Sequence, residues 1–169
     1  IREGKSTVAL NPTRAGNWEV LARIYQAIIP LADNADAFAV ETFRQAIALD
    51  PINPELRIAL GGIYYGTGDY NNANRIFELA VASKPDLANS HFNLAYAYQQ
   101  NKQIDKAIQE MSLVLSLVER NSQDYQIATK ALEEMESQRN QAESAEGENL
   151  NAPKSPEQVL EPPIELPED

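Results

Sequence analysis

Residues 54–87, PELRIALGGIYYGTGDYNNANRIFELAVASKPDL, decide the fold of this chain. They carry small, aromatic and aliphatic residues at the positions that two packed helices joined by a tight turn require: Leu60, Gly61, Tyr64, Gly68, Tyr70, Ala73, Phe77, Ala80 and Pro85. Gly61 and Ala73 are small enough for the two helices to cross at close range. Pro85 ends the second helix because proline lacks the N–H that a helix needs. The stretch therefore predicts one complete helix–turn–helix unit.

The same unit recurs on both sides of this stretch. It returns in register in residues 88–121, with His91 at the position that Trp18 occupies in the earlier copy. In residues 15–53 the two helices are separated by five more residues, in a segment that contains Pro30. We expect Pro30 to end or kink the first helix of that copy, so that the extra residues form a longer connection.

This pattern resembles the tetratricopeptide repeat (TPR) over roughly residues 8–141, and the match is strongest between 54 and 114. The resemblance implies an all-α, right-handed superhelical α-solenoid and is closest in style to bacterial TPR proteins. The predicted helices are 15–30, 35–49, 54–66, 70–83, 88–100, 104–118 and 122–143. They give about three repeats and a C-terminal capping helix, at 15–53, 54–87, 88–121 and 122–143.

The two ends of the chain differ from the repeats. Residues 8–12 (VALNP) mirror residues 47–51 (IALDP), so 1–14 is interpreted as the remnant of an upstream repeat, or alternatively as a leader. Together with the initial isoleucine, this suggests a piece of a longer protein. Residues 144–169 are acidic and rich in proline, and we expect them to be a disordered tail.

The predicted capping helix carries one apolar stripe at helical spacing, formed by Tyr125, Ala128, Leu132 and Met135. Its other face is polar. A stacked array of repeats needs such a terminal helix for solubility, because its last unit would otherwise expose an apolar face. The alternative, a coiled-coil or dimer seam, is weaker because the stripe is short.

Composition excludes several classes of function. The net charge of −11 opposes binding to nucleic acid, and the chain has no cysteine for disulfides or thiolate metal sites. No apolar run reaches the roughly 18 residues that would span a membrane. The single histidine, His91, lies on an apolar helix face and is interpreted as a packing residue. We predict no catalytic site, metal or cofactor, and neither nucleic acid nor direct membrane insertion.

The resemblance implies that the first helices of the repeats line a concave groove that binds a protein or peptide. The groove residues it predicts are Glu19, Arg23, Gln26, Glu55, Ile58, Gly62, Tyr65, Asn89, Phe92, Asn93, Tyr96 and Gln100. Phe92 and Tyr96 lie four residues apart and therefore on one helix face. Asn93 can both donate to and accept from a peptide backbone. The alternative for Phe92 and Tyr96 is simple packing against the neighbouring helix.

Family members that bind the C-terminal carboxylate of heat-shock chaperones use lysines, asparagines and an arginine in the groove. The matching positions here are Glu19, Arg23, Ala59, Asn89 and Asn93, of which only Asn93 fits clearly. A clamp for chaperone tails is therefore not expected.

The function expected from the resemblance is a non-catalytic protein-binding scaffold or adaptor. One alternative is a docking or regulatory appendage of a bacterial membrane-bound enzyme that handles surface glycopolymers. Another is an architectural solenoid that self-associates. The chain's own tail, through Ile164 and Leu166, is a further candidate ligand in cis or in trans.

Overall fold

The structure, a computed structural model, describes residues 1–150, and its side chains are described from 1 to 144. These residues form eight α-helices and no strand, which confirms the all-α class. The helices are α1 (Arg2–Leu10), α2 (Ala15–Ala27), α3 (Ala35–Leu49), α4 (Pro54–Gly66), α5 (Tyr70–Ser83), α6 (Ala88–Gln100), α7 (Ile104–Leu117) and α8 (Gln123–Leu150). Helices α2 and α3, α4 and α5, and α6 and α7 pack as consecutive antiparallel pairs, and each pair packs on the next.

The turns around α4 and α5 follow directly from the sequence. Pro54 is the first residue of α4, and the side chain of Asn53 accepts a hydrogen bond from the amide of Glu55 at 3.1 Å. Asp69 caps α5 in the same way, accepting from the amide of Asn72 at 3.1 Å. Both caps satisfy amides that no helical carbonyl can reach.

Equivalent turns of successive repeats have the same backbone geometry. Gly68 has φ +80°, and Lys102, at the equivalent position of the next repeat, has φ +59°. In the first turn the amide of Asp69 donates to the carbonyl oxygen of Tyr64 at 2.9 Å. In the second turn the amide of Gln103 donates to the carbonyl oxygen of Tyr98 at 2.8 Å. A lysine thus adopts a left-handed conformation that a glycine adopts without strain.

The connection between α2 and α3 spans residues 28–34 and is longer than the others, as predicted. The predicted end of α2 at Pro30 is wrong, because the helix already ends at Ala27. The amides of Ile28 and Ile29 donate to carbonyls only three residues back, so the chain leaves the α-helix before it reaches Pro30.

Close crossing within a repeat depends on Gly61. A Cβ atom added there would lie 2.5 Å from Cε1 of Phe77, which is 1% exposed. The core continues along the array in two groups of buried residues, and Tyr64 packs against both of them. The repeats therefore share one continuous core, as expected for stacked units.

Hydrogen bonds tie successive repeats together at matching positions. The hydroxyl of Tyr98 donates to Glu78 at 2.7 Å, while that of Tyr64 accepts from Arg44 at 2.8 Å, and the two residues of each pair are 20 residues apart in sequence. His91 is buried, as expected of a packing residue. Its two ring nitrogens also contact a carboxylate oxygen of Glu110 at 2.6 Å and the carbonyl oxygen of Pro85 at 2.9 Å.

Helix α8 closes the array. Ala128 and Met135 are fully buried, and the hydroxyl of Ser122 caps the helix by accepting from the amide of Tyr125 at 3.1 Å. The helix continues to Leu150, past the predicted end at 143. Of the predicted tail, residues 151–169 lie outside the described residues.

Helix α1 packs on α2 in the manner of a second helix of a repeat. The residue that follows it, Asn11, has φ −146° and ψ 83°, close to the values of Asp50 (−136°, 77°) and Lys84 (−151°, 87°), which follow α3 and α5. Each of these three residues precedes a proline, which restricts it to extended backbone.

Candidate functional site

Helices α4 and α6, the first helices of two successive repeats, contact each other directly and leave a cavity of about 220 Å³ between them. We name it the tyrosine pocket, and its lining residues are Gly62, Tyr65, Phe77, Asn93 and Tyr96. Phe77 reaches it from α5 below, so the floor is a core side chain. The walls are two tyrosines that are only partly buried.

Gly62 creates the space in the tyrosine pocket. A Cβ atom added at Gly62 would meet no atom within 4 Å among the described residues, whereas the same addition at neighbouring Gly61 would collide with Phe77. A glycine inside a helix costs about 0.5–1 kcal/mol relative to alanine. Packing explains this cost at Gly61, but no contact within the described structure explains it at Gly62.

The tyrosines of the pocket belong to a larger aromatic cluster. The ring of Tyr65 meets that of Tyr70 edge-on at 5.5 Å. Burial raises the pKa of Tyr65, and the nearby hydroxyls of Tyr70 and Tyr96 raise it further, against the lowering effect of a hydrogen bond with Gln100. Burial likewise raises the pKa of Tyr96, with a contribution from the carboxylate of Glu134. Both phenols therefore remain neutral at physiological pH.

A second cavity, of about 330 Å³, lies on the other side of α6, and we name it the α8 pocket. Its lining residues come from α6, α7, α8 and the residue that follows α7: Ala88, Asn89, Phe92, Val114, Val118, Asp124 and Ile127. The ring of Phe92 contacts that of Tyr96 edge-to-face at 5.0 Å. This pair forms a ridge between the two pockets, with Tyr96 lining one and Phe92 the other.

Some predicted groove residues come together at these pockets. Tyr65, Asn93 and Tyr96 line the tyrosine pocket, Gln100 lies beside Tyr65, and Phe92 borders the α8 pocket. Phe92 and Tyr96 both pack against the core and are only partly buried, and their part in binding a ligand stays a prediction.

Other predicted residues have different surroundings. Ile58 is partly buried against the core and lines neither pocket. Glu19 and Arg23 form an ion pair at 2.8 Å on α2 and also line neither pocket. The amide group of Asn93 donates to the carbonyl oxygen of Asn89 at 2.7 Å, so its donor is already engaged within α6.

Sequence reasoning missed the contribution of α8, which was interpreted only as a cap. Asp124 and Ile127 line the second pocket, and Ile127 is 44% exposed. A signal was available, because Ile127 is one repeat length beyond Asn93, a predicted groove residue. Continuing the register into the capping helix would have found it.

The two pockets carry little charge. Helix α6 contains no Asp, Glu, Lys or Arg, and Asp124 is the single charged residue in the lining of either pocket. Within residues 1–144, whose side chains are described, no group of three potential ligands could hold a metal ion. No helix of that region is long and apolar enough to cross a membrane.

The tetratricopeptide-repeat family model matches residues 33–89 and 64–132, which together cover more than half of the chain. The chain belongs to the tetratricopeptide-repeat family. No curated protein sequence matches it significantly.

Solved structures show the same fold at low sequence identity. The TPR protein TTC0263 of Thermus thermophilus has a TM-score of 0.67 at 22% identity, over 78% of this chain and 70% of that one. The first TPR domain of Spaghetti (RPAP3), bound to the HSP90 peptide SRMEEVD, has a TM-score of 0.59 at 20% identity, over 71% and 90%. The Yersinia enterocolitica type III secretion chaperone SycD, in complex with a peptide of the translocator YopD, has a TM-score of 0.61 at 15% identity, over 72% and 93%.

Proposed function

We propose that this chain is a non-catalytic protein-binding module that holds a peptide segment of its partner in the groove formed by α4, α6 and α8. The observation that carries the proposal is the tyrosine pocket, which Gly62 leaves open beside two partly exposed tyrosines. The helical glycines Gly16 and Gly66 are equally open, but of these three only Gly62 lines the tyrosine pocket, where a ligand can approach the backbone. Two structurally similar TPR proteins were solved with bound peptides, which supports the same use of the fold.

The chemistry of the groove suits a peptide. Tyrosine offers a large apolar ring together with a hydroxyl that can bond a peptide backbone. The edge-to-face contacts of Tyr65 with Tyr70 and of Phe92 with Tyr96 hold the rings in place before a ligand arrives. Such preorganisation reduces the entropy lost on binding.

The test is a selection of binders from a random peptide library displayed on phage, with the full chain as bait, followed by titration of the selected synthetic peptides. We expect saturable binding that weakens at least about tenfold in Tyr96→Ala. The matched control is Phe38→Ala, because Phe38 is an aromatic residue, 56% exposed, on the second helix α3. Failure to select any saturable binder, or equal losses in both variants, would contradict the proposal.

The chain's own tail is tested in the same titration. A synthetic peptide of residues 155–169, which includes Ile164 and Leu166, is added as a competitor. Displacement of a selected peptide would make the tail a ligand of the groove, and no displacement would remove it as a candidate.

A further inference from the structure

We infer that the groove recognises an extended segment with two apolar anchor side chains, one in the tyrosine pocket and one in the α8 pocket, and a basic residue beside the second anchor. This inference rests on the proposed function, since it specifies the ligand of the same groove. It is carried by the arrangement of the two pockets on opposite sides of α6 and by the single charge in their lining.

The ridge between the pockets sets the spacing of the anchors. Phe92 and Tyr96 are one helical turn apart, about 6 Å along α6. Neighbouring packed helices lie about 8–10 Å apart, so pockets on the two sides of α6 are separated by a distance of that order. An extended chain advances about 3.3 Å per residue and turns every second side chain to the same face, so the two anchors lie about four residues apart in the ligand. The segment between them crosses the aromatic ridge.

The pockets differ in size and therefore in the side chain they accept. The tyrosine pocket, of about 220 Å³, suits an aliphatic side chain such as leucine or methionine. The α8 pocket, of about 330 Å³, has room for an aromatic ring between Phe92, Val118 and Ile127. Apolar walls favour apolar occupants in both, because burying a charged group there would forfeit its hydration.

Charge complementarity determines the flanking residue. Asp124 lines the α8 pocket, and the carboxylate of Glu134 acts on Tyr96 from the same helix. Lys130 offsets Glu134 only weakly, at 4.0 Å between two exposed side chains. A lysine or arginine in the ligand would meet Asp124 favourably, whereas an acidic segment would be repelled. This places the ligand in a different class from the acidic HSP90 peptide SRMEEVD held by the RPAP3 domain.

The test fills each pocket separately. Gly62→Leu occupies the tyrosine pocket, and Ala88→Leu occupies the α8 pocket. The matched control is Ala82→Leu, at an exposed position on α5. Thermal unfolding of each full-length variant verifies that it folds. With a peptide selected from the library, we expect each pocket-filling variant to raise the Kd at least about tenfold and the control to leave it within about twofold.

Peptide variants then match each anchor to its pocket. Replacing the first anchor by alanine should abolish the effect of Gly62→Leu while leaving the effect of Ala88→Leu intact, and the converse should hold for the second anchor. Asp124→Asn should weaken peptides that carry a lysine or arginine about threefold and leave their neutral versions unchanged.

Three outcomes would overturn the inference. Peptides that bind with equal affinity to the wild type and to both pocket-filling variants would show that the groove binds without these anchors. Selected peptides that are acidic would contradict the proposed basic residue beside Asp124. If no peptide binds saturably, the proposed function fails and the inference fails with it, whereas in the first two outcomes the proposed function survives.

Discussion

Two adjacent glycines of α4 should respond in opposite ways to the same substitution. Gly61 is buried in the core and Gly62 lines the tyrosine pocket, at adjacent positions of the same helix. Gly61→Ala places a methyl group 2.5 Å from a ring carbon of Phe77, whereas Gly62→Ala places it in open space. We expect the first substitution to destabilise the protein and the second to stabilise it.

The expected change in the free energy of unfolding follows from the atoms that surround each added methyl group. Ordinary contacts of a Cβ atom begin at 3.4 Å, so relief of the clash at Gly61 requires a shift of almost one ångström by Phe77, which is 1% exposed and held by the core. Overpacking of this kind costs about 1–3 kcal/mol, and the helix propensity of alanine returns about 0.5–1 kcal/mol. The net loss for Gly61→Ala is therefore up to about 2.5 kcal/mol, against a gain of about 0.5–1 kcal/mol for Gly62→Ala.

Urea unfolding of the full chain, followed by far-ultraviolet circular dichroism, measures both free energies. The two variants should differ by the overpacking cost of about 1–3 kcal/mol, because both gain the helix propensity of alanine, and this corresponds to several degrees in Tm for a chain of this size. A Gly61→Ala variant as stable as Gly62→Ala would refute the close crossing of α4 and α5 at Phe77. A loss of stability in Gly62→Ala would show that the tyrosine pocket is occupied by the protein itself, which would remove the site.

Three further substitutions test other contacts. His91→Ala should cost about 1–3 kcal/mol in urea unfolding, because it removes the side-chain partner of Glu110 and of the carbonyl oxygen of Pro85, and a loss below about 0.5 kcal/mol would contradict this. Lys102→Gly should stabilise the protein by about 1 kcal/mol, since glycine adopts φ +59° without strain. An unchanged midpoint of urea unfolding would contradict the left-handed turn at Lys102. Tyr98 has a pKa raised above 10.0 by burial, so the folded state favours its protonated form. The stability that its protonated form provides is fully present below pH 10 and is lost progressively as the pH rises above 10. Because phenylalanine cannot ionise, the free energy of unfolding of Tyr98→Phe should fall less than that of the wild type on alkaline titration. Parallel profiles of unfolding free energy against pH would contradict this.

Much of the fold follows from local sequence because the repeat is a local unit. Helices α3, α4, α5 and α6 begin and end at the predicted residues, and a proline, a glycine or a capping side chain marks both ends of α4 and α5 and the end of α3. The end of α2 was predicted less well. Pro30 restricts the residue before it, but the sequence does not reveal that the helix has already ended at Ala27.

The turn at Lys102 illustrates what periodicity can and cannot supply. The position is predicted, because it is one repeat length beyond Gly68. The left-handed conformation is not suggested by lysine itself, which adopts it only because the surrounding repeat imposes the turn. Tertiary context overrides the preference of a single residue there.

The candidate site was predicted in part, and the reason lies in where its residues come from. Tyr65 and Tyr96 were found because each occupies a groove position within its own repeat. The α8 pocket was missed because it forms only where the capping helix meets α6 and α7, and no single repeat contains it. The helix that closes the array thus also completes the proposed groove. One of the polar residues that keep this end of the solenoid soluble is Asp124, whose charge we expect a ligand to meet. Removing this helix would therefore remove half of the proposed binding site and expose the core of the last repeat.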